Sequence, residues 1–359
     1  MIPFARPIPP LRLVSLRFLP LLCLLIWASP TLARPPADAN PAGYAARPDV
    51  RAFVTEMAVE HGFDRAALTR TLGQARYQRT IVTAMDRPLL EPPKWHAYAR
   101  SFLAPERVAA GVQYWSAHRD DLARAEERYG VPAEIVVAIL GVETYYGRNA
   151  GNYRVLDALV TLAFDYPRRA AFFRGELKQF LLLSRELGMS PLVAKGSFAG
   201  AMGVPQFMPG SYRSYAVAFD GSGRPDLWQS PADIVGSVAN YLARHDWQPG
   251  GPVLLPAAIA AETRDAALRK LDGGLSERRA ADAWAADGVT IAAPATGPLD
   301  DPVGLLLLEE SADGVEGASY WIACNNFYVL TRYNRSRLYA AAVYELARAI
   351  KAARGEVPR

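Results

Sequence analysis

The chain of 359 residues carries 40 Lys and Arg against 36 Asp and Glu, and 51% of it is hydrophobic. That balance excludes a disordered, highly charged polymer and fits one large folded domain or two to three smaller ones. The positive excess sits in the first 33 residues, which hold Arg6, Arg12 and Arg17 and no acid. Beyond them 37 basic residues face 36 acidic ones, which leaves no basic excess to grip nucleic acid.

Those first residues have a form of their own. The three arginines precede the apolar run Phe18–Ala28, and Thr31-Leu32-Ala33 supplies a small-residue cleavage pattern. Residues 1–33 therefore read as a secretory signal peptide. The run is shorter than the ~20 residues that span a bilayer. Leu22 precedes Cys23 where lipid attachment requires a small residue. The expectation is a periplasmic protein with no stable membrane span in its mature form and no lipid anchor at Cys23. Cys324 is the other of the two cysteines, so no intrachain disulfide is expected in the mature chain. Its apolar neighbours predict a strand over Trp321–Leu330 with a buried thiol.

Residues 34–47, rich in Pro, Ala and Asp, read as a linker. From Pro48 to about Arg128 the pattern is helical, with apolar positions such as Phe53, Met57 and Val59. The run Ile135-Val-Val-Ala-Ile-Leu140 predicts a helix apolar on every side and hence buried. Pro132 stands near its first turn and Gly147 where it should stop. Helices follow around Ala150–Phe164 and Ala170–Leu187. Residues 196–210 break the pattern with glycines and prolines in an apolar setting. They predict a packed loop whose glycines either let backbone approach a ligand or serve tight packing. A helix over Pro231–Arg244 completes a helical region spanning 48–248. Residues 249–320 read as a small mixed α+β insertion, with a charged helix near Ala261–Leu271 and strand-like runs at Val289–Ala292 and Leu305–Glu309. In 321–359 the strand leads to a closing helix over Leu338–Ala352.

Glu143 is the residue with the clearest chemistry. It lies at the exit of the buried helix, in Gly141-Val-Glu-Thr-Tyr-Tyr-Gly147. A carboxyl group desolvated there without a cation keeps its proton near neutrality. A protonated acid is what cleavage of a sugar–oxygen bond requires. The four histidines, His61, His96, His118 and His245, have no metal-ligand spacing, and no nucleophile elbow or phosphate loop is present. No metal and no cofactor are expected. The stretch Asp220-Gly-Ser-Gly-Arg-Pro-Asp226 hints at calcium through Asp220, Ser222 and Asp226. It lacks the spacing and closing Glu of an EF-hand, so a polar turn is the reading.

Four segments together resemble the membrane-bound lytic murein transglycosylase B family: Gly141–Gly147, Gly196-Ser-Phe-Ala-Gly-Ala-Met-Gly-Val-Pro-Gln-Phe-Met-Pro209, Gly236-Ser-Val-Ala-Asn-Tyr241 and Asn326-Phe-Tyr-Val-Leu-Thr-Arg-Tyr-Asn-Arg-Ser336. The resemblance runs from about Pro48 to the C-terminal helix. It implies a mainly α (α+β) protein: a lysozyme-like helical core, an additional helical region and a small β-containing domain. It implies cleavage of the MurNAc-β-1,4-GlcNAc bond of peptidoglycan glycan strands with formation of 1,6-anhydroMurNAc, by a monomer. Glu143 matches the single catalytic acid/base. Tyr98, Ser197, Gln206, Tyr241, Tyr333, Asn334 and Tyr339 match substrate-groove positions. The calcium loop of some members is depleted in acids here.

Two other readings of the same residues stay open. One is a hydrolytic muramidase with a second carboxylate, although Asp157, Asp165, Glu176 and Glu186 read as surface or salt-bridge residues. The other is a non-catalytic peptidoglycan-binding scaffold, with Glu143 merely paired to Arg148 at a helix end.

Overall fold

The computed structural model describes residues 43–86, 93–292, 302–312 and 315–355. The expected signal peptide, Cys23 and residues 34–42 of the expected linker lie outside them. Among the described residues no helix is long and apolar enough to cross a membrane.

The first helices bury one stripe each. In α1 (Pro48–His61) the stripe is Val50, Phe53, Val54 and Met57, a spacing of three and four. Val59 falls off that stripe and is exposed, contrary to expectation. Residues 43–47 are no loose linker. Tyr44 is buried, its hydroxyl donates to Asp165 at 2.5 Å, and Arg47 pairs with the same carboxylate. Short helices α2 (Arg65–Gly73), α3 (Arg79–Asp86) and α4 (Trp95–Arg100) follow, then α5 (Pro105–Ala117) and α6 (Arg119–Tyr129).

Helix α7 (Ala133–Thr144) forms the centre. Every residue of Ile135–Val142 is buried, as an all-apolar helix demands. Its flanks are α5, α6, α11 (Pro231–Ala243) and α15 (Arg337–Ala353). Lys351 of α15 pairs with Glu134 at 2.6 Å, which anchors the start of α7.

Helix α8 (Val155–Asp165) starts later than the apolar pattern suggested. The residues before it form β1 (Tyr153–Arg154), which pairs antiparallel with β2 (Lys195–Gly196). Gly151, at φ +92°, turns the chain into that pairing. Then come α9 (Ala170–Glu186) and α10 (Pro209–Tyr215), which pack on each other.

A six-stranded antiparallel sheet lies beside the helices, in the order β4 (Leu271–Asp272), β5 (Leu275–Ser276), β7 (Gly304–Ala312), β8 (Val315–Ala323), β3 (Leu254–Ile259), β6 (Val289–Ile291). Its two faces are both covered. Leu306 and Leu308 of β7 join the helical core, whereas Leu305 joins a second core with Ile259, Trp284 and Ile322. That second core lies under α12 (Arg264–Leu268) and α13 (Ala281–Ala286), and the Trp284 indole donates to the Val303 carbonyl at 3.0 Å. Burial on both faces explains why this strand reads as a continuous apolar run. The charged helix expected near Ala261–Leu271 is reduced to α12.

The strand expected over Trp321–Leu330 is half wrong. β8 stops at Ala323, and α14 (Asn325–Tyr333) begins two residues later. Asn326, fully buried, decides the break. Its side chain accepts from the Gln248 amide at 2.8 Å and donates to the carbonyls of Gln248 and Gly251, both at 2.9 Å. Phe327 and Leu330 then face the core with helical spacing. Cys324 is buried as expected, but at the helix cap.

Candidate active site

Glu143 sits in the last turn of α7 and is partly accessible. The hydroxyl of Tyr339, from the first turn of α15, donates to its Oε1 at 2.7 Å. Burial pushes the carboxyl up to about 7, and the Tyr339 hydrogen bond pulls in the opposite direction. Among the described residues no cation pairs with it. In particular Arg148, the expected helix-end partner, stacks over the Tyr145 ring at 4.7 Å instead. Burial, with the neighbouring Glu143 charge, holds the Tyr339 phenol well above its ordinary pKa, so it stays a donor.

The end of α7 is set by unusual backbone. Thr144, not Gly147, is its last residue, and Tyr145 and Tyr146 take φ values of 53° and 57°. Such conformations are strained for bulky residues and must be held from outside. Thr144 does part of this. Its hydroxyl accepts from the Gly147 amide at 2.9 Å and donates to the Val204 carbonyl at 2.8 Å. Arg107 does more. Its guanidinium donates to the Gly141 carbonyl and lies over the Tyr145 ring at 4.6 Å, while its backbone carbonyl accepts from the Tyr146 hydroxyl at 2.9 Å. A cation at a helix C-terminus also suits the helix dipole.

An aromatic wall stands beside Glu143. The Tyr333 and Tyr339 rings lie nearly parallel, centroids 6.4 Å apart. Tyr333 packs edge-on against Tyr241 at 4.9 Å, and Phe207 touches both Tyr241 and Tyr333. The hydroxyls of Tyr333 and Tyr241 donate to the carbonyls of Pro205 and Arg332, each at 2.7 Å, which fixes the rings. Tyr98 contacts Phe102 and lies near enough to Tyr339 to influence its ionisation.

The glycine-rich loop is bonded to this cluster, its Val204 carbonyl accepting from Thr144 and its Pro205 carbonyl from Tyr333. Ser197 Oγ accepts from the amides of Ala199 and Ala201 at 3.2 and 3.0 Å, so it closes a turn. Gln206, at φ 53°, donates through Nε2 to the carbonyls of Gly203 and Ala150 at 2.8 and 3.0 Å. It ties this loop to the segment after α7. Asn334 ends α14 in an extended conformation, its carbonyl accepting from the Ser336 amide at 2.7 Å. The glycines serve packing. A Cβ on Gly196 would lie 2.0 Å from the Ala201 oxygen, and one on Gly203 would lie 2.5 Å from the Leu227 oxygen.

Thus Glu143, Tyr333, Tyr339 and Tyr241 form one cluster, Ser197 and Gln206 brace the loop beside it, and Asn334 is half-buried at the end of α14. Reasoning from sequence missed Thr144, Arg107 and Phe207. Thr144 follows Glu143 directly, and Phe207 lies inside a motif, so both had a signal. Arg107 had none.

The Asp220–Asp226 loop does not present a cation site. Asp220 accepts from the Ser222 amide, and Asp226 accepts from the amides of Trp228 and Gln229. Asp233, buried, accepts from the amides of Asp220 and Asp226 at 3.0 and 2.9 Å. Among the described residues no three His, Cys, Asp or Glu converge. One oxygen of each of Asp220 and Asp226 closes the loop on its own backbone, as the expected polar turn requires.

Replacing Tyr339 by Phe removes the only hydrogen bond described for the Glu143 carboxyl. A bond donated to a carboxylate favours the charged form, so its loss should move the alkaline limb of the kcat/KM–pH profile upward. Turnover should fall roughly ten-fold, since a hydrogen bond to a charged group is worth about 1.5–3 kcal/mol. An unmoved limb would mean that Tyr339 does not act on Glu143.

The sequence profile described as Transglycosylase SLT domain matches residues 45–348. The membrane-bound lytic murein transglycosylase B of Escherichia coli (strain K12) is 42% identical over 320 residues, 87% of this chain and 85% of that protein. The soluble lytic transglycosylase SltB1 of Pseudomonas aeruginosa has a crystal structure similar to this one, with a TM-score of 0.78 and 45% identity over 86% of this chain and 100% of that one. The Escherichia coli lytic transglycosylase Slt35, solved in complex with bulgecin A, gives a TM-score of 0.78 and 42% identity over 88% of this chain and 96% of that one.

Proposed function

Because the chain belongs to the transglycosylase SLT family, and is a lytic transglycosylase, we propose that it cleaves the MurNAc-β-1,4-GlcNAc bond of peptidoglycan with Glu143 as its single acid and base. The observation that carries this reading is the state of that carboxyl group. It is desolvated, raised to about 7, oriented by Tyr339, and forms no ion pair among the described residues.

The protonated Glu143 donates to the leaving glycosidic oxygen. Its carboxylate then takes the proton of the C6 hydroxyl of MurNAc, which attacks the anomeric carbon of the same sugar. Intramolecular attack needs no protein nucleophile and no positioned water, and it draws on high effective molarity. A two-carboxylate hydrolase would place its second acid about 5–9.5 Å from the first. The four acids considered for that role are engaged elsewhere. Asp157 pairs with Arg154, Asp165 with Arg47, and Glu186 with Arg213. Among the described residues Glu176 pairs with no cation, contrary to expectation. Burial raises its pKa, and it accepts from the Gly210 amide at 2.8 Å. Tyr98 and Tyr333 keep partly exposed rings for stacking on sugar, whereas Tyr241 and Tyr339 are buried and support them through contacts with Tyr333, and Ser197, Gln206 and Asn334 are partly exposed.

Mass spectrometry of sacculus digests tests this directly. The product should carry a 1,6-anhydro end, lighter by one water than a reducing sugar. It should stay so after Asp157→Asn, Asp165→Asn, Glu176→Gln and Glu186→Gln. Free reducing ends from the wild type would replace this mechanism with hydrolysis. The leader supports a periplasmic protein whose mature chain begins near Arg34, and N-terminal sequencing that found an acylated Cys23 would overturn that.

A further inference from the structure

Residues of the turn that follows Glu143 line a concavity to which Glu143 itself does not contribute. It is an open pocket of about 360 Å³, lined among others by Tyr114, Tyr146, Arg148, Val204, Trp228 and Gln229. That size is ordinary for a small-ligand site. Tyr146, Gly147 and Arg148 of that turn form part of its wall. Thr144 binds the Val204 carbonyl and the Gly147 amide, so the same two backbone segments hold Glu143 and shape the pocket.

The lining has a consistent chemistry. It contains no carboxylate. Arg148 is exposed, forms no ion pair among the described residues, and is held in place by the Tyr145 ring. Trp228 is fixed by its indole, which donates to the Lys195 carbonyl at 3.3 Å, and by Tyr212 at 5.8 Å. Tyr114 stacks on Tyr146 at 5.7 Å, and its hydroxyl is shielded with no hydrogen-bond partner among the described residues. Rigid aromatic surface and one unpaired guanidinium suit a ligand with an apolar body and a carboxylate.

We propose that this pocket binds the carboxylate-bearing peptide portion of a muropeptide, separately from the glycan groove. The proposal rests on the peptidoglycan reading above, because peptidoglycan is what brings sugar-linked peptide carboxylates to this face. Arg148 meets the carboxylate, and Trp228 and Tyr146 meet the apolar body.

The test is calorimetry on the full mature chain carrying Glu143→Gln, with the groove filled by saturating chitotetraose. N-acetylmuramyl-L-alanyl-D-isoglutamine is the probe. A saturable binding isotherm should remain. Arg148→Ala should weaken it at least about ten-fold, as removal of a charge partner does, and Arg148→Lys should restore part of the loss. Arg148→Ala should leave cleavage of peptide-free glycan within about two-fold of wild type, since this residue makes no bond to Glu143. Disappearance of the isotherm when chitotetraose fills the groove, or equal binding by Arg148→Ala, would overturn the proposal. Failure of the transglycosylase reading would show instead in the wild-type product, independently of this binding.

Discussion

Glu143→Gln is expected to fold and to lose nearly all activity. The amide keeps the volume of the side chain and can still accept from Tyr339, but it cannot donate and retrieve a proton. General acid–base catalysis supplies about 10²–10⁴-fold in such sites, and here one group performs both transfers, so the loss should reach at least the upper part of that range. Turnover of sacculi above about a tenth of wild type would remove Glu143 from its role. Stability should change in the other direction. The folded carboxyl titrates at about 7 against an ordinary 4.5, so the folded wild type resists ionisation. Its stability is therefore fullest below pH 4.5 and falls as pH rises towards 7. The amide has no such cost. Above pH 7 the variant should be more stable than wild type by up to about 3 kcal/mol, at about 1.4 kcal/mol per unit. The advantage should vanish below pH 4.5. Urea titrations at pH 4 and pH 8 would read the difference, and equal gaps at both would show that the carboxyl is not desolvated.

Gly196→Ala is expected to be among the most damaging single changes. Its Cβ would lie 2.0 Å from the Ala201 backbone oxygen and 3.2 Å from Val155. Backbone cannot swing aside as a flexible side chain can, so the β1–β2 pairing or the loop carrying Ser197 and Gln206 must shift. Overpacking of this kind costs about 1–3 kcal/mol and occasionally more. The melting temperature should fall by roughly 5 °C or more, and activity should fall further because that loop moves. Gly175→Ala is the matched control. It lies on the exposed side of α9 with nothing within 4 Å of the added Cβ, and it should gain up to about 1 kcal/mol from helix propensity. If both variants melt with the wild type, the close approach at Gly196 is not a constraint on this fold.

Much of this protein is determined locally. A run as apolar as Ile135–Leu140 has to be a buried helix, and a carboxylate at its end has to pay for desolvation, so Glu143 is legible as an acid before any neighbour is known. The helical stripes of Phe53 with Met57, of α9 and of α15 follow equally from side-chain periodicity, which is a property of neighbouring residues.

The partners of that acid come from far along the chain. Tyr339 lies 196 positions from Glu143 and Val204 lies 60 from Thr144, and nothing in local periodicity pairs them. The left-handed tyrosines after α7 are a tertiary outcome too, because local preference would put the stop at Gly147 and only Arg107 and Thr144 hold it earlier. Residues 324–333 show the same limit. Short apolar runs suit strand and helix alike, and the choice fell to Asn326, whose buried amide binds a loop 75–78 positions away. The glycines of residues 196–210 were ambiguous for a related reason. Whether a missing Cβ makes room for a ligand or for backbone depends on what stands opposite, and what stands opposite is set by the packing of the whole chain.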